Sequence, residues 1–396
     1  MAEQNLLFRF RTPPPSGLGF AAEAPCNEST PMRTFLALFL CLAIGSARSL
    51  ADTSPVRLAI VGLVHDHAGG FIPGLSSNPA VVLVGIVEPD KVLSAKYAEK
   101  FHLSPTLFYP SIGALVAATK VEAVATFTST LDHRRVVEAC APLGIDVMME
   151  KPMATNLADA RAIAAAASKG GIQVIVNYET TWYPSNRSAY EVIHDQNGIG
   201  DLRKIVVHDG HQGPKAIGCS EDFLNWLTDP VQNGGGAAMD FGCYGADLAT
   251  WLLGGARPTS VTAVFQHFQP DAYPKVEDEA TIILAYPRAQ AILEASWNWP
   301  YGRKDMQIYG ENGALFLPDR STLLERKGNT QVSTLPVAPL PEAESNPVSY
   351  LAAVVRGKLK PSGLSSLETN LVVCEILDAA KESARTGRRI DLEASP

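Results

Sequence analysis

Two regimes of hydrophobic patterning divide the chain. Up to about residue 176, short apolar runs stand between helix-length segments. The runs Arg57 to Val61, Val81 to Val87, Val121 to Phe127, Ile145 to Met149 and Ile172 to Val176 are almost continuously apolar, as strands covered on both faces are. Helices are predicted between them: one beginning near Gly69, then Lys91 to Phe101, Arg134 to Leu143, and an alanine-rich segment capped by Asn156 and stopped at Gly170-Gly171. Strand and helix in alternation predict a parallel sheet. Beyond residue 177 the apolar positions mostly alternate instead, over Leu202 to Asp209, Ser260 to Phe268, Glu279 to Tyr286, Ala289 to Trp297, Asp305 to Gly310 and Gly313 to Leu317. Short turns separate these runs. They predict an open antiparallel sheet with one face covered by helices and the other exposed. Further helices are predicted at Ala238 to Leu253, Asn346 to Val355 and Glu368 to Thr386, and Arg389 to Leu392 reads as a strand returning to a sheet edge. The fold class is therefore α/β plus α+β. Residues 52–176 form the first domain and 177–345 most of the second, with 346–396 packing back across the junction.

The first 51 residues fit neither regime. Met1 to Pro31 has no sustained period and contains Pro13-Pro14-Pro15; Met32-Arg33 then precedes an apolar run from Phe35 to Ile44, with small residues and Ser49-Leu50-Ala51 after it. That is the form of a secretory signal starting at Met32, and its apolar run is too short to span a bilayer. The expected location is periplasmic or secreted, or cytoplasmic if the leader is not used. Removing the leader leaves Cys140, Cys219, Cys243 and Cys374. Their spacing matches neither a metal site nor a disulfide scaffold, and buried thiols are expected. The chain has 396 residues, 46% of them hydrophobic, and a formal charge of −8. The length suffices for two cores, and an acidic balance without a basic tract argues against nucleic acid as a partner.

Candidate chemistry collects where strands end. Glu150-Lys151-Pro152 follows an apolar strand, at the carboxyl edge where open α/β sheets place ligands. After the first strand, Gly62-Leu63-Val64-His65-Asp66-His67 occupies the place of a G-x-G-x-x-G turn. Gly62 matches, but Val64 and His67 replace the second and third glycines. Glu88 ends the second strand, where a carboxylate accepts ribose hydroxyls and repels a 2′-phosphate, favouring NAD over NADP; Asp90 is the alternative acceptor, because Pro89 leaves the turn open. His65 and His67 show no third ligand nearby, so no metal is predicted; contact with cofactor or substrate, or packing, is their expected role. Gly234-Gly235-Gly236 precedes Asp240, Tyr244 and Asp247, which fall on one helix face if the turn is helical.

Glu150-Lys151-Pro152, followed in order by the three glycines, Asp240, Gly242, Tyr244 and Asp247, resembles the glucose-fructose oxidoreductase, inositol dehydrogenase and biliverdin-reductase-like (Gfo/Idh/MocA) family over about Val56 to Leu392. The resemblance implies an N-terminal Rossmann dinucleotide-binding domain and a C-terminal open, mainly antiparallel sheet domain. It implies cofactor contacts from Gly62, Val64, His65, His67, Glu88, Thr128, Ser129, His133, Glu150 and Lys151. Thr128 and His133 match a threonine and histidine of the family's loop, with Thr130 at a proline position. Tyr183-Pro184 resembles the family's aromatic-proline pair. Substrate contacts are expected from Lys151, Tyr178, Arg187, Asp240 and Tyr244, a surface salt bridge being the alternative for Arg187. Lys151, Tyr244 and Asp240 are the expected catalytic residues, with Tyr244 accepting the hydroxyl proton as phenolate or through a relay. His65 or a neighbouring histidine is the alternative base. The implied activity is NAD-dependent oxidation of a sugar or sugar derivative, with a retained cofactor if the protein is exported. The alternatives are glycoside cleavage through transient oxidation and elimination, or a non-catalytic sugar sensor. The partner is a sugar or glycoside, and relatives pair sheet to sheet as dimers or tetramers.

Overall fold

The computed structural model describes residues 54–392. The predicted leader, Cys26 and Cys41 lie outside them. Among the described residues the chain forms one sheet of six strands and one of nine.

The first sheet contains β1 (Val56–Val61), β2 (Val81–Val87), β3 (Phe108–Tyr109), β4 (Ala123–Thr126), β5 (Asp146–Glu150) and β6 (Val174–Asn177). Its spatial order is β3-β2-β1-β4-β5-β6, with every pair parallel. Helices α1 (His67–Ser76), α2 (Lys91–Lys100), α3 (Ile112–Ala118), α4 (His133–Cys140) and α5 (Leu157–Gly170) connect the strands. Asp90 accepts from Val92 N and Leu93 N to cap α2, and Asn156 accepts from Asp159 N to cap α5, each satisfying helix-end donors that would otherwise lack partners. The order reverses between β1 and β4. Ligands of such sheets bind at that switch point.

The second domain opens with α6 (Pro184–His194), β7 (Leu202–Gly210), α7 (Glu221–Leu227), α8 (Ala237–Asp240) and α9 (Gly242–Leu252). Strands β8 (Ser260–Gln266), β9 (Glu279–Ala285), β10 (Gln290–Ser296), β11 (Arg303–Gly310), β12 (Gly313–Asp319), β13 (Thr322–Lys327) and β14 (Ser333–Leu335) follow, then α10 (Pro347–Val355), α11 (Leu367–Thr386) and β15 (Ile390–Asp391). The sheet runs β14-β13-β12-β11-β7-β10-β9-β8-β15. It is antiparallel except for β7 beside β10, which run parallel. Alternation in β9 and β10 turns Ile282, Leu284, Ala291 and Leu293 inward, where α9 and α11 cover them. Helix α10 crosses back: Val348, Leu351 and Val354 pack with Val56, Leu58 and Ile60 of β1. Among the described residues, no helix is long and apolar enough to cross a membrane.

Patterning misses β3 and α3, which are too short to show a period, and β13 and β14, whose exposed ends read as loop. It also shifts one boundary: Glu150 is the last residue of β5, not the first residue beyond it.

Candidate active site

The end of β5 delivers Glu150 and Lys151 to a cleft of about 580 Å³ between the two sheets. Lys151 is 6% exposed and Asp240 5%. The lysine Nζ donates to Asp240 Oδ1 at 2.5 Å and to the Asp240 carbonyl at 2.9 Å. Trp297 Nε1 donates to the other carboxylate oxygen at 2.9 Å. Burial opposes both charges, yet each partner offsets the other's desolvation, so the carboxyl lies below its usual range and the ammonium above its own. This is a fixed, ionised pair.

The three glycines explain how Asp240 arrives there. Gly234 has φ +82, and a Cβ on it would stand 2.7 Å from the Thr155 carbonyl oxygen. At Gly236 a Cβ would meet the Glu277 carbonyl oxygen at 1.9 Å. The entry to α8 is thus closely packed. Glu277 Oε1 accepts from Gly236 N and Ala238 N, holding the first turn of α8.

Tyr244 lines the cleft from α9, with Lys151 Nζ 5.2 Å from its ring centroid. Its hydroxyl has no hydrogen-bond partner among the described residues, and burial, followed by the carboxylates of Glu179, Asp209 and Glu150, pushes it well above the usual phenol range. At rest the tyrosine therefore holds its proton, and a phenolate is disfavoured. Asp247 does not extend a polar stripe. It is fully buried, neither carboxylate oxygen has a partner, and burial raises it well above the carboxylate range, so it is a neutral acid inside the core.

The cofactor-side residues gather around the β1–α1 turn. Gly62 has φ +79, and a Cβ there would lie 2.5 Å from Thr128 Cγ2, so glycine is required for the turn to pass β4's exit. Glu88 faces this turn and accepts from Leu63 N and Asp90 N, both at 2.9 Å; burial raises its carboxyl and these two amide bonds partly offset that. Asp90 is engaged as a helix cap, which leaves Glu88 as the carboxylate facing the loop. His65 is buried, and burial holds its imidazole well below the ordinary range, so it is neutral; its Nδ1 accepts from His67 N at 3.2 Å. His67 opens into the cleft, and its Nδ1 lies 3.0 Å from Glu150 Oε2. Asn177 Nδ2 donates to the other oxygen of Glu150 and Trp182 Nε1 donates to Asn177 Oδ1. Glu150 thus supplies the third potential ligand that the sequence lacked: candidate ligand atoms of His65, His67 and Glu150 lie within 4.8 Å of one another. The bond between His67 and Glu150 accounts for that proximity without an ion.

Other expected contacts lie further back. His133 is buried, bonded through Nδ1 to the Met153 carbonyl, and lowered by burial to about 4. Ser129 is buried and donates to Asp132, while Thr128 is half-buried beside Thr126. Val64 packs near Trp226, whose Nε1 donates to its carbonyl. Tyr178 lies behind Tyr244, edge-on at 5.3 Å, with its hydroxyl on Asn370 Oδ1; no part of it lines the cleft. Arg187 pairs with Glu191 and Glu344 outside the cleft, matching the salt-bridge alternative. The two lie outside the cleft for different reasons: Tyr178 is buried behind another ring, and Arg187 is an exposed side chain engaged in ion pairs. Cys140, Cys243 and Cys374 are buried, whereas Cys219 is half-buried at the cleft.

Sequence reasoning passed over His211, Glu179 and Lys304 in the cleft, and Asp209 beside Lys304. His211 lies just past β7, its Nδ1 accepts from Gly213 N, and burial lowers its pKa. Lys304 on β11 reaches Glu179 Oε2 at 3.5 Å and Asp209 Oδ1 at 3.4 Å. The one available signal was a run of polar residues, Asp209 to His211, ending an apolar strand.

A parallel sheet with a turn-binding glycine and a strand-end carboxylate at its switch point fits a dinucleotide; a buried lysine–carboxylate pair and a tyrosine face the same cleft. Together they define a two-domain nicotinamide-dependent oxidoreductase. Residues 56–178 match the oxidoreductase family with NAD-binding Rossmann fold, and residues 187–316 match the GFO/IDH/MocA C-terminal domain. The chain belongs to the Gfo/Idh/MocA family. It is 28% identical over 326 residues to trans-1,2-dihydrobenzene-1,2-diol dehydrogenase of Xenopus tropicalis, covering 78% of this chain and 92% of that protein. Its fold is similar to aldose-aldose oxidoreductase from Caulobacter crescentus complexed with glycerol (TM-score 0.72, 24% identity, 85% of this chain and 100% of that one). It is also similar to an inositol dehydrogenase homolog from Azotobacter vinelandii complexed with NAD+ (TM-score 0.75, 20% identity, 86% and 98%).

Proposed function

We propose that this chain oxidises a hydroxyl of a sugar or sugar derivative, and that it retains its NAD between turnovers. The observation that carries the reading is the ionised Lys151–Asp240 pair beside Tyr244 in one cleft. NAD, when bound, supplies the hydride acceptor. Gly62, Glu88 and the loop after β4 would hold it. Lys151 presents a fixed positive charge to the substrate oxygen and stabilises negative charge developing there. Asp240 and Trp297 fix the lysine's position. Tyr244 exchanges the hydroxyl proton: neutral, it donates to a carbonyl undergoing reduction, and deprotonated, it accepts from an alcohol undergoing oxidation. His211, whose Nδ1 is occupied by Gly213, is left with Nε2–H to donate to a second substrate oxygen.

A second reading is favoured by the His67–Glu150 pair. Asn177 and Trp182 hold Glu150, Glu150 holds His67 Nδ1, and the remaining ring nitrogen is a base in the same cleft. A keto group formed by transient oxidation acidifies the neighbouring carbon–hydrogen bond, and such a base can remove that proton and expel a glycosyl group. The test is incubation of a glycoside and free-sugar panel in deuterated water, read by mass spectrometry. Deuterium at a ring carbon with glycosyl release supports elimination. A sugar acid or lactone with a reduced partner, and no ring exchange, supports simple transfer.

Lys151→Met is expected to lower turnover by at least ~10²-fold, the scale of lost acid–base and electrostatic assistance, while NAD binding persists. Retained turnover would remove Lys151 from the centre of the mechanism. Tyr244→Phe keeps the ring and removes the hydroxyl; full activity in that variant would assign the proton to another group.

A further inference from the structure

We propose that Lys304, set against Asp209, is the cation that governs the protonation of Tyr244, a positioning role that rests on the assignment of Tyr244 as the proton-exchanging group. Strand pairing creates the arrangement. In the antiparallel register of β11 and β7, Lys304 stands directly opposite Asp209, where cross-strand side chains meet. The lysine reaches over the cleft, and its Nζ lies 3.7 Å from the Tyr244 ring centroid, nearer than Lys151 at 5.2 Å. Phe241 flanks it at 5.1 Å.

The two lysines differ in how far their charge is spent. Lys151 is held at 2.5 Å by Asp240 and keeps its charge within that pair. Lys304 has longer contacts, 3.4 Å to Asp209 and 3.5 Å to Glu179. A cation within about 4–6 Å favours the ionised form of a phenol. Lys304 therefore opposes the burial that keeps Tyr244 protonated.

Asp209 sets how much of that charge Tyr244 feels. It is 1% exposed, and neither carboxylate oxygen has a hydrogen-bond partner. Burial pushes it up to about 7, with Lys304 partly offsetting the shift. The groups facing Lys304 are Asp209 from β7, Glu179 from the turn after β6, Tyr244 from α9, and Lys151 and His211 from the cleft floor. Burial raises the Glu179 carboxyl, but Lys304, the Tyr183 hydroxyl it accepts from and His67 together outweigh that and hold it below its usual range. Asp209 is thus the one of these carboxyls that changes charge near neutrality. Protonated, it leaves Lys304 facing Glu179 alone, which favours the Tyr244 phenolate. Ionised, it cancels the lysine and disfavours it.

Two substitutions then act in opposite directions, which loss of packing does not produce. Asp209→Asn mimics the protonated acid and lowers the Tyr244 midpoint; Lys304→Met removes the cation and raises it; Lys304→Arg restores most of the wild-type value. Each shift is expected to be about one pKa unit. The measurement is a pH titration of ring-carbon-labelled tyrosine by NMR in the full-length protein as purified, with Tyr244→Phe assigning the resonance. No substrate is needed. Equal midpoints in wild type, Asp209→Asn and Lys304→Met, or shifts of the same sign, overturn the proposal. So does a Tyr244 resonance that stays neutral up to alkaline unfolding in Asp209→Asn as in wild type. Full turnover by Tyr244→Phe would instead overturn the assignment of Tyr244 itself, a separate outcome.

Discussion

At the scale of single residues, the partners a buried aspartate finds decide its charge. Asp240 and Asp209 are equally enclosed aspartates, but Asp240 has Lys151 and Trp297 at hydrogen-bond distance and Asp209 has a lysine at 3.4 Å. The first is ionised well into acid and the second titrates near 7. That difference has a stability consequence. The folded pKa of Asp209, about 7, exceeds the ordinary 3.8 of an unfolded aspartate. Between those values the folded chain keeps a proton that the unfolded chain has lost. This group's contribution to stability is therefore full below pH 3.8, falls as pH rises through 7, and is level beyond. Asp209→Asn is expected to flatten that slope and to be more stable than wild type at pH 8, by at most about 4 kcal/mol at ~1.4 kcal/mol per pKa unit. Denaturant unfolding at pH 5 and pH 8 measures it; an unchanged pH slope in the variant would contradict the raised pKa.

At the scale of elements, tight turns aim the chemistry. Helix α8 starts where three glycines pass between Thr155 and Glu277, and no side chain fits at Gly236. The contact there is backbone oxygen, which cannot rotate away. Gly236→Ala is expected to destabilise the fold by roughly 2–4 kcal/mol and to displace Asp240 from Lys151, so that residual folded protein shows lost turnover with NAD affinity largely intact. Thermal unfolding with parallel NAD titration checks both halves. The motif's sequence positions were readable because glycines and acids recur at chemically sensible spacings. Its support was not: Glu277 lies 41 residues from Gly236, and nothing local marks it as the cap of α8.

At the scale of the whole molecule, two expectations await solution measurement. If the leader directs export, no recycling pool of nicotinamide cofactor is available, and NAD(H) is then expected to copurify; mass spectrometry after denaturation of unsupplemented protein detects it. Recovery of NADP alone would reject the role given to Glu88, and empty protein would reject tight retention. The second concerns the nine-stranded sheet. Its outer face carries Val264, 60% exposed, with half-buried Val206, Ile283, Ile292 and Phe316. We infer that a second copy of this chain covers that face. Light scattering is expected to show a dimer or tetramer, dissociated by Ile283→Glu. A wild-type monomer at micromolar concentration would reject the pairing.

The chain's family resemblance pointed to Lys151, Asp240 and Tyr244 as one group; by itself the sequence determined the class of fold, most strand positions and the turn at Gly62. These follow from local rules: apolar runs need two covers, alternation needs one, glycine permits turns others cannot, and reactive groups sit at strand ends. The tertiary structure alone decided which side chains share the cleft. Tyr178 left it because Tyr244 stands in front of it and Arg187 because it pairs with Glu191 and Glu344 outside the cleft, and His67 and Glu150 became a pair because the chain exits of β1 and β5 converge across β4. Lys304 meets Asp209 and Tyr244 through a strand register and a helix docking that residues far apart in the chain set together. Charge and burial at such a meeting point depend on distances across space, which no spacing along the chain encodes.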